Sequence, residues 1–325
     1  MASLRTWRAD PVITGPELMQ PEDIPALNTV FSDAFSERYR KDGLVGVRVP
    51  FLNPLIWRYA MEGAGAGAVL WRTDRGTIAA FNIAHRSGSE GWMGPLAVSP
   101  ELQGRGVGRA VVGFGTEHLR TLGCSVIGLE TMPRTMDNIG FYSQLGFVPG
   151  PLTITVTLDA GTGDVPIALL GRLRLLDRED VVAECAALTQ RMRDGYDFTR
   201  EIQITDALAI GDTVFLRRGG VVSAFAICHS APLVEGRTRD EVRVLKFVAG
   251  SDADAVQLVS HLTEYARRCG TRRVAIRVQG DATRLYEALI TRGGRVRWTD
   301  LRMTMAAHAE PLQPVDGVML SNWEI

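Results

Sequence analysis

Lysine is almost missing from this chain: of 36 basic residues only Lys41 and Lys246 are lysine, and the other 34 are arginine. Two lysines leave little room for a phosphate loop built around one, and no GxxxxGK[ST] occurs. An excess of one charge is also lacking, since 36 Lys+Arg against 37 Asp+Glu give a formal net charge of −1. No global positive field therefore exists to hold nucleic acid or an anionic membrane surface. Arg267, Arg268, Arg272 and Arg273 form a local basic cluster, but no aromatics interleave with them, and they read as a solvated helix end. Cys124, Cys185, Cys228 and Cys269 are far apart with no CxxC, which excludes a disulfide framework or a zinc cluster. The five histidines are scattered and no HExxH occurs, so no metal site is read. No signal-peptide run opens the sequence, and no stretch approaches the ~20 apolar residues that cross a bilayer. A cytoplasmic protein is expected, with neither membrane nor nucleic acid as partner.

Present instead is a globular composition, 46% hydrophobic and 22% charged over 325 residues, enough for two ordinary domains. The halves repeat. Gly76-Thr-Ile-Ala-Ala-Phe-Asn-Ile-Ala-His85 has a partner in Gly220-Val-Val-Ser-Ala-Phe-Ala-Ile-Cys-His229, each preceded by a second apolar run, Ala68–Trp71 and Thr213–Leu216. Both read as β-hairpins. The same offset of 144 residues relates Asp137 and Tyr142 to Asp281 and Tyr286. Each copy is expected to run helices, antiparallel strands, then strand, helix, strand, helix and closing strands. In the first copy these are a helical Glu17 to Phe35, strands at 68–71, 77–85 and 92–98, a helix at 106–122, a strand at 125–130, a helix at 138–145 and a strand at 152–158. Gly161 to Pro166 reads as a linker. The expected division is 1–160, 167–309 and a tail 310–325, whose Trp323 suggests that the tail docks.

The stretch Gly94-Pro-Leu-Ala-Val-Ser-Pro-Glu-Leu-Gln-Gly-Arg-Gly-Val-Gly-Arg109 carries the chemistry. A strand ends at Val98, and a glycine-rich turn opens an amphipathic helix. Glycines at 104, 106 and 108 let the backbone approach a ligand and leave N–H groups at a helix N-terminus, where the dipole presents about +0.5 of a charge. That is an anion site, with Arg105 and Arg109 placed to add positive charge. A dinucleotide GxGxxG is absent, because the sixth position from Gly104 or Gly106 is Arg109 or Val111.

Gln103-Gly-Arg-Gly-Val-Gly108 resembles the Q/R-x-x-G-x-G/A signature of the GNAT superfamily of acetyl-CoA-dependent N-acetyltransferases. Asn138-Ile-Gly-Phe-Tyr-Ser-Gln-Leu-Gly-Phe147, about thirty residues on, is similar to that family's N…(F/L)Y-x-x-L-G-F segment. The resemblance covers residues 1 to 158, and the second half enters only as a repeat lacking the signature. It implies an α/β (α+β) protein of two tandem GNAT folds, each a mixed, mostly antiparallel sheet flanked by helices. It further implies that Gln103, Gly104, Arg105, Gly106, Val107, Gly108 and Arg109 bind the CoA pyrophosphate, while Leu96, Ala97 and Val98 pair with the pantetheine arm. Tyr142 would be the acid that helps the departing thiolate, and Asn138 would brace the helix start or contact the cofactor.

The incoming amine has to be neutral, and with a pKa near 10 that costs about 4 kcal/mol at pH 7. Trp92–Val98 carries none of the carboxylates that many relatives have there. Glu130 is then the remaining carboxylate, acting directly or through water; His85 and a water- or substrate-assisted route stay open beside it. His85 has its partner His229 in the half without a cofactor motif, which favours a shared structural role. In that half Ser251, Asp252 and Asp254 replace the glycine turn and read as a helix cap with first-turn acids. The expectation is a cytoplasmic bacterial transferase with an active first domain and a degenerate second one, and a homodimer is left open. It takes acetyl-CoA and an amine of a small molecule or protein, with no metal. An inactive acyl-CoA-binding sensor or scaffold is the alternative.

Overall fold

The computed structural model describes residues 11–323. The first half runs β1 (Ile13–Leu18), α1 (Ile24–Lys41), α2 (Pro54–Ala64), β2 (Ala68–Thr73), β3 (Ile78–Ser87), β4 (Glu90–Val98), α3 (Val107–Thr121), β5 (Val126–Thr131), α4 (Met136–Gln144) and β6 (Phe147–Asp159). After an irregular stretch at 160–167 the order recurs: β7 (Ala168–Leu169), α5 (Leu175–Met192), α6 (Thr199–Ala207), β8 (Gly211–Arg218), β9 (Val221–His229), β10 (Glu241–Ala249), α7 (Asp252–Arg268), β11 (Arg273–Gln279), α8 (Thr283–Thr291) and β12 (Arg295–Met305). A short β13 (Val318–Ser321) follows.

The expected helix over Glu17 to Phe35 is corrected at its start. Glu17 and Leu18 belong to β1, an almost wholly exposed edge strand whose burial shows no alternation, and α1 begins only at Ile24, with Pro25 in its first turn. An edge strand facing water on both sides leaves no period-2 signal to read.

All described strands join one sheet, in the order β1-β2-β3-β4-β5-β12-β6-β11-β10-β9-β8-β7. Only β4–β5 and β10–β11 are parallel. The halves exchange closing strands. β12 enters between β5 and β6, setting Arg302 opposite Glu130, while β6 runs on to pair β11, with Thr153 opposite Gln279 and Thr155 opposite Arg277. Residues of the second half are thereby placed beside β5 of the first.

Each half splays at the same point. β4 pairs β5 over Glu90–Met93 only; at Gly94–Pro95 it bulges against β3 and bends away. Gly94 has φ +153°, which suits a residue without a Cβ. Among the described residues no strand pairs with Pro95–Val98 on the β5 side. In the second half β10 pairs β11 over Glu241–Val244, shifts register before Lys246, and there the gap is filled. β13 pairs antiparallel with Lys246–Ala249, and Asn322 N–H donates to Leu245 O at 2.9 Å.

Helices cover the sheet with apolar faces. Val111, Val112 and Leu119 of α3, and Leu258, Val259 and Leu262 of α7, are all buried. Each such side chain is worth roughly 1.5–3 kcal/mol. Between the halves lies a buried polar knot. Lys246, with no exposed surface, donates to Ser321 Oγ at 2.8 Å and lies 3.8 Å from Glu201 Oε1. Ser321 Oγ donates to Glu90 Oε2 at 2.6 Å, Trp92 Nε1 donates to Glu90 Oε1 at 2.7 Å, and Ser87 bonds Glu201. Burial pushes the Lys246 ammonium down and the Glu201 carboxyl up, and each partner opposes the other's shift.

Candidate active site

The splay of β4 from β5 opens a cleft of about 740 Å³. Its wall on the β4 side is Met93, Gly94, Pro95, Leu96, Ala97 and Val98, and its floor includes Tyr142, Phe141 and Asn138 of α4. At one end stand Gln103, Gly104, Gly106, Gly108 and Arg109 with Lys41; at the other stand Glu130, Thr131, Met132, Arg277, Asp300 and Trp323. Of the residues singled out in the sequence, Arg105 and Val107 do not line the cleft, and Val107 packs into an apolar cluster with Val111 and Leu102 instead.

The glycine turn is built for close approach. Gly104 and Gly106 have φ +76° and +83°, and a Cβ added to either would meet no atom within 4 Å, so the space in front of them is open. Gly106 is the N-cap of α3 and no side chain caps that helix. In the second half the equivalent helix is closed by its own residues, because the Ser251 hydroxyl accepts from Asp254 N–H at 3.1 Å and two aspartates sit in the first turn. Gln103 Nε2 donates to Val98 O at 3.1 Å, tying the turn to the strand end, and Lys41 Nζ donates to Gln103 Oε1 at 3.3 Å. Charge along the cleft is uneven. Near the turn the cleft is lined by Arg38, Lys41 and Arg109 with Asp137, Arg38 also pairing with Asp42 and Lys41 lying 3.8 Å from Glu37, whereas the far end is lined by Glu130, Asp300 and Arg277, with Arg302 bound to Glu130 behind them.

Tyr142 is buried, and burial pushes its phenol up to about 12, so it stays a neutral O–H donor at physiological pH. His85 lies behind the bulge, outside the lining of the cleft. Its Nε2 is 2.8 Å from Gly94 O, and facing a carbonyl that nitrogen must carry the proton. Its ring stacks on Trp323 at 4.4 Å, Nδ1 is buried without a hydrogen-bond partner, and burial takes its pKa down to about 3. This is a neutral brace for the bulge.

Glu130 is fully engaged. Its Oε1 accepts from Thr153 Oγ1 at 2.5 Å and Arg302 Nη1 at 2.8 Å, and its Oε2 from Arg277 Nη2. Against the opposing effect of burial, the two guanidinium groups hold the carboxyl down at about 2. Arg302, itself buried over the Trp92 ring at 3.9 Å, is fixed by a two-pronged bond to Glu310. Arg277 Nη2 also donates to Asp300 Oδ2 at 2.9 Å, and its Nη1 to Trp323 O at 3.3 Å. Arg277 and Asp300 are not visible in the motifs, and Trp323 reads in the sequence only as the residue that docks the tail. The three lie 147 to 193 positions beyond Glu130, on β11, on the exchanged strand β12 and on the tail, and only the repeat hints that the second half takes part.

Residues 31–147 match the family described as "Acetyltransferase (GNAT) family". The chain is 35% identical over 95 residues to an uncharacterized N-acetyltransferase, YjhQ, of Escherichia coli (strain K12), covering 29% of this chain and 45% of that protein. It is 33% identical over 86 residues to mycothiol acetyltransferase of Propionibacterium freudenreichii subsp. shermanii, covering 25% of this chain and 28% of that one. The matched segment thus spans less than half of either curated relative. Among solved structures, a tandem GNAT protein from the clavulanic acid biosynthesis pathway superposes with a TM-score of 0.60 at 13% identity, over 93% of this chain and all of that one. Residues 31–147 are thus similar to the GNAT acetyltransferase family, and the fold of the whole is that of a tandem GNAT protein.

Proposed function

We propose that the chain is an N-acetyltransferase that moves an acetyl group from acetyl-CoA directly to an amine, with the first half, residues 1–160, as the active one. The observation that carries this reading is the contrast between the two splays. Pro95–Val98 leaves an open edge beside an uncapped glycine turn, whereas the equivalent edge, Lys246–Ala249, is paired with β13 behind a capped helix. Residues 167–309 and the tail 310–325 would then serve by walling the far end of the first cleft.

The first cleft fits acetyl-CoA by its own features: open space before Gly104 and Gly106, cations at Lys41 and Arg109, and unpaired strand edge at Leu96, Ala97 and Val98. The N–H groups of the glycine turn and the two cations would hold the diphosphate, since a helix end alone contributes only about 0.3–2 kcal/mol. Acetyl-CoA would supply the acyl group and a thiol as leaving group. Tyr142, neutral and facing the same cleft, is assigned to donate its O–H to that sulfur. Glu130 is assigned to hold Arg277 and Arg302, because a carboxylate held near 2 takes up protons poorly at neutral pH.

The test is release of free thiol from acetyl-CoA in the presence of primary amines, with Tyr142→Phe beside the wild type. The reading expects amine-dependent release that falls by roughly 10²–10⁴-fold in Tyr142→Phe while acetyl-CoA affinity stays within about threefold. Equal rates in both proteins would remove Tyr142 from the mechanism. The fixed Glu130 favours one second reading, an acyl-CoA-binding sensor without turnover, which would bind acetyl-CoA yet release no thiol.

A further inference from the structure

We propose that Asp300, delivered by the exchanged strand β12, is the group that binds the acceptor's ammonium and takes its proton, and that the acceptor is a primary amine on an apolar stem. This rests on the acetyltransferase reading above and names the acceptor side of that same cleft.

One guanidinium is shared between two carboxylates. Arg277 Nη2 touches both Glu130 and Asp300. Glu130 has further partners in Arg302 and Thr153, whereas among the described residues Asp300 has only the Trp298 indole N–H at 3.1 Å besides Arg277. Two carboxylates around one cation cannot be equally satisfied, and the environment pushes their acidities apart. Glu130 stays charged and low. Asp300 is raised by burial, with Arg277 opposing and the nearby Glu130 charge adding to the rise. Tyr39 of α1 is a further titratable neighbour, raised by burial and by the Asp300 charge and lowered by Arg134. Arg302 stands two residues along β12, bound to Glu130 and Glu310.

Placement agrees with this division of labour. Leu301 pairs with Thr131 across the β12–β5 ladder, which sets Asp300 at the end of β5, beside Met132. Asp300 lines the cleft, and among the described residues its two oxygens accept one hydrogen bond each, from Arg277 and Trp298, so lone pairs remain for a ligand. Glu130 is taken up by Arg277 and Arg302, so a cation entering this end of the cleft meets Asp300 as the carboxylate with the fewer partners. Met132 and Trp323 supply apolar wall around it, which suits a hydrocarbon or aryl stem.

The step moves one proton. An ammonium N–H bond breaks, its electron pair stays on nitrogen as the attacking lone pair, and the proton joins an Asp300 carboxylate oxygen, from which solvent removes it after turnover. Partial burial helps from both sides, lowering the ammonium pKa and raising the carboxyl. Glu130 is a positioning residue here, acting through Arg277.

Two measurements test the assignment. In the ligand-free protein, carbon-13 NMR of the side-chain carboxyls, with Asp300→Asn to identify the resonance, should find Asp300 titrating above the ordinary ~3.9; in Glu130→Gln it should move down, because the charge that raised it is gone and Arg277 turns wholly to Asp300. In thiol release with acetyl-CoA and phenethylamine, tryptamine or hexylamine as probes, Asp300→Asn should lose roughly 10²–10⁴-fold in kcat/KM at pH 7. The loss should shrink as pH rises toward the amine pKa, and the acid limb should shift down in Glu130→Gln. An Asp300 that titrates at its ordinary value, or an Asp300→Asn enzyme with the wild-type rate and pH profile, would overturn the proposal and leave the acetyltransferase reading standing. A wild type that binds no acetyl-CoA would instead sink that reading. One that binds it and acetylates none of the probes would overturn the acceptor class.

Discussion

His85 commits its Nε2–H to the Gly94 carbonyl and its face to Trp323, which leaves no room for an imidazolium. Burial sets its folded pKa at about 3 against an ordinary 6.5. A histidine whose folded pKa is depressed binds more protons unfolded than folded, so its contribution is complete above about 6.5 and is lost as pH falls toward 3. Urea unfolding at pH 7, 6, 5 and 4 should show stability falling with a slope of up to about 1.4 kcal/mol per pH unit from this residue. In His85→Gln that slope should flatten even though stability at pH 7 is lower. An unchanged slope would mean that His85 is protonated in the folded protein. At this scale the sequence was informative where chemistry is local. Tyr142, Asn138, Gln103 and the glycines meet in one cleft because each sits within a few residues of the strand and helix ends that form it. The pairing of His85 with His229 in the repeat already favoured a structural role, and both are buried.

The turn ahead of α3 shows how an element rather than a side chain makes a binding surface. Gly106 holds φ +83° with nothing in front of it, so Gly106→Ala strains the backbone by about 1–2 kcal/mol without a clash. Acetyl-CoA affinity measured by calorimetry should weaken about tenfold, since the strain falls on the conformation that exposes the amides. Unaltered affinity would place the diphosphate elsewhere. Elements fixed by distant partners could not be read in this way. β1 and β13 are short, and the first is exposed, so neither carries a periodic signal. The exchange of β6 and β12 depends on which edges meet in space, and hydrophobic alternation along one strand does not encode its neighbour. Asp300 and Arg277 went unread for that reason, and Glu130 looked free because its two arginines lie more than 140 positions away.

Across the whole molecule the two halves are joined by buried charge as well as by the continuous sheet. Lys246 sits between Glu90 and Glu201 and under the Trp323 ring at 3.6 Å. Removing one member of such a knot leaves the others buried and unpaired. Lys246→Ala should therefore cost about 3–5 kcal/mol in urea unfolding. It should also loosen Trp323, seen as a change in indole fluorescence and in the far wall of the cleft. Composition arithmetic indicated two domains and no net field. The structure refines this to two copies that share strands, one with an open splay and one whose splay is closed by its own C-terminal strand.

The central claim is that only the open splay takes the acyl donor, and its most direct test is calorimetric titration of acetyl-CoA into the full chain. The account requires one site per chain, weakened by Gly106→Ala and indifferent to Ser251→Gly. Two sites per chain, or one site indifferent to Gly106→Ala and sensitive to Ser251→Gly, would contradict it.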